Sequence, residues 1–138
     1  MRRTTSDPAT SFALRLSVAL VFSLVGLEKL IPRFSSSWVQ TFATIGVGQW
    51  FRYVTGIVEL VGGLLFLFPA ATAAGAAMLI ATMCGAMAVH IFVFKHPGNS
   101  LFPAMYLVGV LLAFAKLRAE SSDDAEHPRV TDARLGRR

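Results

Sequence analysis

The stretch Thr55-Gly-Ile-Val-Glu-Leu-Val-Gly-Gly-Leu-Leu-Phe-Leu-Phe68 decides the fold. Apart from Thr55 and Glu59 it is apolar or glycine, and with the aromatic residues before it the run is long enough to cross a bilayer as a helix. A carboxylate at bilayer depth costs about 2.5–3.5 kcal/mol on insertion scales, so Glu59 must face protein or water rather than lipid. Gly56, Gly62 and Gly63 fall on the same side as Glu59 at helical spacing. That side is a close-packing face with one polar point in it.

Working outward, Trp50, Phe51 and Tyr53 form an aromatic belt at the mouth of this second span, predicted over residues 50–68. Arg52 lies two turns before Glu59 on the same face, about 10 Å away along the axis. Pro69 stops the helix, and the uncharged turn Pro69-Ala-Ala-Thr72 predicts an antiparallel hairpin with a third span over residues 73–94. In that span Thr82, Gly85, Ala86 and His90 are expected on the close-packing side. Lys95-His-Pro-Gly-Asn-Ser100 reads as a polar turn, and a fourth span is expected over residues 101–117. Residues 118–138 contain few large apolar side chains and are expected to be a disordered polar tail.

In the other direction, residues 1–11 read as a polar N-terminal tail, followed by a first span over residues 12–31 that Pro32 ends. Two arginines before an apolar run resemble a signal peptide. The run is too long for an h-region, so it is read as a retained membrane helix. Arg15, one turn in, is expected to snorkel to the headgroups. Glu28 and Lys29 close the helix, and adjacent residues point about 100° apart, so they cannot both face one neighbour. Lys29 continues the Phe22 and Gly26 face and is the one expected to turn inward. Between spans one and two, Trp38, Val39, Phe42 and Ile45 recur at helical spacing among Ser and Gln, which predicts a short amphipathic helix in the interface.

The whole is therefore an all-α, four-transmembrane-helix bundle with an interfacial helix between spans one and two. Composition agrees: 54% of the 138 residues are hydrophobic and 15% charged, with most charges near the ends. A water-soluble domain of this size needs more charge on its exterior. The net charge of +5 comes largely from Arg2, Arg3, Arg118, Arg129, Arg134, Arg137 and Arg138. No aromatic residues interleave with the tail arginines, which argues against nucleic-acid binding and for topogenic charge meeting anionic lipid. Weighed against Arg33 and Lys95 on the opposite side, these charges predict cytoplasmic termini. The single cysteine, Cys84, excludes an internal disulfide and a CxxC pair.

The helix end Gly26-Leu-Glu-Lys-Leu30, the run Phe42-Ala-Thr-Ile-Gly46 leading to Thr55-Gly-Ile-Val-Glu-Leu-Val-Gly-Gly63, and Gly85-Ala86 with His90 together resemble the DoxX-like family of small four-helix membrane proteins. The resemblance covers residues 12–117. It implies an integral membrane protein, usually of the bacterial cytoplasmic membrane. Some members are associated with oxidoreductase systems, including quinone-linked sulfur oxidation and oxidative-stress complexes, and many have no assigned activity. Related animal proteins look like chaperones or cargo receptors.

Five residues are candidates for a ligand-binding or buried polar network: Glu59, His90, Lys29, Arg52 and Glu28. Burial favours a neutral Glu59, whereas a neighbouring Lys29 or Arg52 favours the carboxylate. Glu59 reads either as an interhelical lock or as a ligand or proton-handling group. His90, with a carboxylate partner, suits a quinone carbonyl or a proton relay, and a hydrogen-bonded core histidine is the plainer reading. One histidine within a span argues against bis-histidine haem ligation within one chain, and the ligand count excludes structural zinc. No nucleophile elbow, phosphate loop or dinucleotide fingerprint is present. The expected function is a membrane scaffold or accessory subunit of a larger, redox-linked complex, with no catalysis of its own. Its partners would be the bilayer and either another protein or further copies of itself. The alternative is a subunit binding quinone or another amphipathic small molecule, and solute transport ranks below both. No resident cofactor is predicted, quinone being the one small molecule the chemistry would suit.

Overall fold

A computed structural model describes residues 8–135, with side chains described for residues 8–122. The described residues form five α-helices: α1 (Pro8–Leu30), α2 (Ser36–Ile45), α3 (Gln49–Leu67), α4 (Thr72–Ala88) and α5 (Leu101–Leu135). Four stretches are long and apolar enough to cross a membrane: Pro8–Leu30, Gln49–Leu67, Pro69–Val93 and Pro97–Ser122. The expected four-span, all-helical architecture is present, and α2 sits between the first two spans.

The boundaries follow local chemistry. α1 is already helical at Pro8, earlier than the expected residue 12. What precedes residue 8 lies outside the described residues. Pro32 and Pro69 each open a short 3-10 turn after a residue in extended conformation, Ile31 and Phe68. α2 ends on Gly46 in the left-handed region (φ 82°), whose N–H donates to the Phe42 carbonyl.

Two departures from expectation occur at C-terminal ends. The third span closes in a single π-turn, Val89–Val93, with the Phe94 N–H donating to the Val89 carbonyl at 3.0 Å. The fourth helix continues past residue 117 to Leu135. Ala119, Glu120, Ala125 and Glu126 are good helix formers, and extending a helix already nucleated within the membrane costs far less than starting one.

The spans pack in chain order, each antiparallel to the next. α1 lies most extensively on α3, α3 on α4 and α4 on α5, whereas α1 and α5 meet along a thin seam. That seam includes an edge-to-face contact between Phe22 and Tyr106 (ring centroids 5.8 Å apart) and a 2.5 Å hydrogen bond from the Ser11 hydroxyl to Glu120. The apolar core comprises Phe22, Phe66, Ala76, Leu79, Met83, Val110, Ala113 and Leu117. Leu20, Leu24, Ile57, Leu64, Phe92, Phe102, Met105 and Leu112 point outward. So continuous an apolar exterior is unsuited to water and matched to acyl chains.

With lipid as apolar as leucine, close approach of backbones holds such helices together. A Cβ on Gly26 would stand 2.6 Å from the Gly56 carbonyl oxygen, and one on Gly75 would stand 2.6 Å from the Gly62 carbonyl oxygen. The α1–α3 and α3–α4 contacts are thus backbone-to-backbone. The close-packing face of α4 differs from expectation: Gly75, Ala76, Leu79 and Met83 are buried, while Gly85 is exposed and a Cβ on it would meet nothing within 4 Å. The Thr82 hydroxyl donates to the Met78 carbonyl of its own helix at 2.9 Å. In a helix made almost entirely of Ala, Gly and Met every side looks alike, so sequence cannot select the packed one.

Candidate functional site

The approach of α1 to α3 at Gly26 and Gly56 places Lys29 directly beside the α3 backbone, where a Cβ on Gly56 would lie 3.1 Å from Lys29 Cβ. A helical Cα–Cβ bond tilts toward the helix N-terminus. Although Lys29 is in the last turn of α1, its stem therefore runs back into the membrane rather than out of it. It meets Glu59, with Nζ donating to both Oε1 and Oε2 at 2.6 Å. Both residues are buried, Lys29 at 5% and Glu59 at 1% exposure. The pair carries no net charge, and this allows two ionised groups to stand within the membrane.

Arg52 joins through backbone rather than through Glu59. Its Nη1 donates to the Lys29 carbonyl, which lies in the last turn of α1 where carbonyls lack the usual intrahelical donor. Its Nε donates to Gln49 Oε1 at 3.0 Å, and Gln49 Nε2 donates in turn to the Val39 carbonyl of α2 at 2.9 Å. The Trp38 ring lies over the Lys29 ammonium, 4.6 Å from Nζ to the ring centroid, and the Arg52 guanidinium lies 4.3 Å from the Tyr53 centroid. Glu59, Lys29, Arg52, Gln49 and α2 are thus one connected polar unit at the end of the bundle carrying the α1–α3 connection.

Glu28 and His90 are outside it. Glu28 is exposed, on the other side of α1 from Lys29. His90 sits in the π-turn against Phe94, with ring centroids 5.3 Å apart, and its buried Nδ1 has no hydrogen-bond partner. Among the described residues no cluster of His, Cys, Asp and Glu could hold a metal ion.

Sequence reasoning misses a second polar clamp. Arg15 does not reach outward for headgroups. Its Nη1 donates to the Phe66 carbonyl at 3.3 Å and to the Thr72 hydroxyl, which itself donates to the Phe68 carbonyl at 2.9 Å. α3 has no basic residue in its own last turn, so its terminal carbonyls need a donor from elsewhere. That need, together with Thr72 in the adjoining turn, is the signal the sequence carries. We expect Arg15→Met to lower bundle stability by about 1–3 kcal/mol, the cost of leaving buried acceptors unmet. Thermal unfolding in detergent should show the loss, and an unchanged midpoint would mean that the end of α3 does not depend on Arg15.

Four helices long and apolar enough to cross a membrane, with Lys29 and Glu59 paired and buried between two of them, define a multi-pass integral membrane protein in contact with the bilayer. Its sequence matches the model of the DoxX-like family over residues 13–114, and the chain belongs to that family. It is also similar to a protein of Bacillus subtilis (strain 168) named "Putative oxidoreductase CatD", with 28% identity over 95 residues covering 69% of each chain. No solved structure matches it.

Proposed function

We propose that this protein is a non-catalytic scaffold or accessory subunit of a redox-linked complex in the bacterial cytoplasmic membrane, with both termini cytoplasmic. The observation that carries this reading is how completely the buried charges are spent within the chain. Both Glu59 oxygens accept from Lys29, and Arg52 is committed to the Lys29 carbonyl and to Gln49. Such groups hold helices in register and leave little to activate a substrate. The redox link is supported by the name of the B. subtilis relative.

A second reading, a subunit that binds quinone or another amphipathic carbonyl compound, is favoured by the unpartnered His90 Nδ1 beside Phe94. Native mass spectrometry of the protein released with its own lipids into polymer nanodiscs separates the two. The scaffold reading expects a particle holding a second polypeptide, or further copies of the chain, at fixed stoichiometry. A single chain carrying a stoichiometric quinone-like adduct that His90→Phe abolishes would overturn it in favour of the second.

A further inference from the structure

The polar unit has a cover. Of the ten residues of α2 only Phe42 is buried, at 5% exposure, and it packs edge-on against Phe51 with ring centroids 5.9 Å apart. Two further ties hold the helix: the Trp38 ring over Lys29, and the hydrogen bond from Gln49 to the Val39 carbonyl. Its C-terminal connection, Gly46-Val-Gly48, contains two glycines at φ 82° and 90°, and a Cβ on Gly46 would meet nothing within 4 Å. Glycine supplies the freedom to turn at such a joint, and the space around Gly46 leaves room for it. The helix is thus short, has one buried side chain of its own, and is followed by a two-glycine joint. It lies over a lysine whose ammonium has three N–H groups. Two point at Glu59, and the Trp38 face covers the ammonium.

We propose that α2 is a lid that lifts about Gly46–Gly48 and opens the Lys29–Glu59 pair to the aqueous boundary of the membrane. Lifting removes the aromatic cover and breaks the Gln49 tie, while the α1–α3 packing at Gly26 and Gly56 stays intact. The group uncovered is an ammonium, so the species admitted are those presenting an oxygen acceptor, water first and then anionic or carbonyl-bearing solutes. The inference stands whether the protein is a scaffold or a ligand-binding subunit, since it concerns access to the pair and not what uses it.

The chain's three lysines, Lys29, Lys95 and Lys116, make this testable by acylation with a water-soluble amine-reactive ester and peptide mapping. The protein is held in lipid nanodiscs so that both faces are accessible. Lys95, in the turn between the third and fourth spans, is exposed and serves as the internal reference. We expect wild-type Lys29 to react at least tenfold more slowly than Lys95. Trp38→Ala, which removes the cover, and Phe42→Ala, which releases the anchor, should each raise the Lys29 rate at least tenfold. The Lys95 rate and the thermal midpoint of the spans should stay as in the wild type. Phe42→Ala is the decisive variant because Trp38 is still present, so acceleration requires the helix to leave. Amide exchange in α2 should rise with it while that of α1 and α3 does not. A Phe42→Ala protein that labels Lys29 at the wild-type rate would overturn the lid, as would acceleration seen only when exchange in α1 and α3 rises equally.

Discussion

Glu59→Gln is expected to destabilise the bundle by about 3–5 kcal/mol, because it leaves the Lys29 charge buried with no counter-charge. The substitution nearly preserves volume and shape, so packing at Gly56 and Gly63 is kept and the loss reports on the charge together with the one acceptor that becomes an NH2 donor. Lys29→Met should cost a comparable amount from the other side, stranding a carboxylate at 1% exposure. Either variant should express poorly and unfold at lower temperature in mild detergent. The affected contact holds α1 on α3, the most extensive helix pair in the molecule. A Gln variant with a wild-type midpoint would remove the pair from any structural role.

The second large effect is expected where backbones touch. A methyl group on Gly75 would stand 2.6 Å from the Gly62 carbonyl oxygen and 2.8 Å from the Phe66 nitrogen, and neither can move without displacing α3. Gly75→Val adds two further carbons to the same gap. Overpacking commonly costs about 1–3 kcal/mol, and this geometry belongs at or beyond the upper end of that range. Gly26→Val faces the same obstacle at the Gly56 carbonyl and the Leu60 nitrogen. Gly85→Ala is the matched control, since its Cβ meets nothing within 4 Å and alanine is the better helix former. Unfolding in detergent should rank Gly75→Val far below wild type and Gly85→Ala at or slightly above it. Equal behaviour of the two would mean that the α3–α4 contact is not what the bundle rests on.

Features that depend on one helix's own face are legible in the amino-acid sequence. Glu59 among glycines marks a close-packed polar point, and choosing Lys29 over Glu28 needs only the 100° step between neighbours. Features that depend on a partner's backbone are not legible. Helical spacing puts Arg52 on the correct face, yet what it binds is the Lys29 carbonyl, an acceptor present at every residue and therefore without a sequence signature. Arg15 is hidden for the same reason, because the Phe66 carbonyl it meets belongs to a helix end with no basic residue of its own. The packed side of α4 cannot be chosen when Ala, Gly and Met recur on every side of it. His90 lies where the π-turn begins, with its Nδ1 buried and without a partner, a state no spacing rule foretells. The extension of α5 to Leu135 shows a different limit. Absence of a hydrophobic stripe removes the signal for packing, while Ala and Glu still sustain the helix.

The most direct test of the account is a double-mutant cycle on the pair: Lys29→Met, Glu59→Leu and the two combined, followed by thermal unfolding in the same detergent. If Lys29 and Glu59 lock α1 to α3, each single substitution is costly, and the double variant recovers most of the loss because no unpaired charge remains in the membrane. If the double variant instead loses about the sum of the two singles, the residues act independently and the lock on which the scaffold reading rests does not exist.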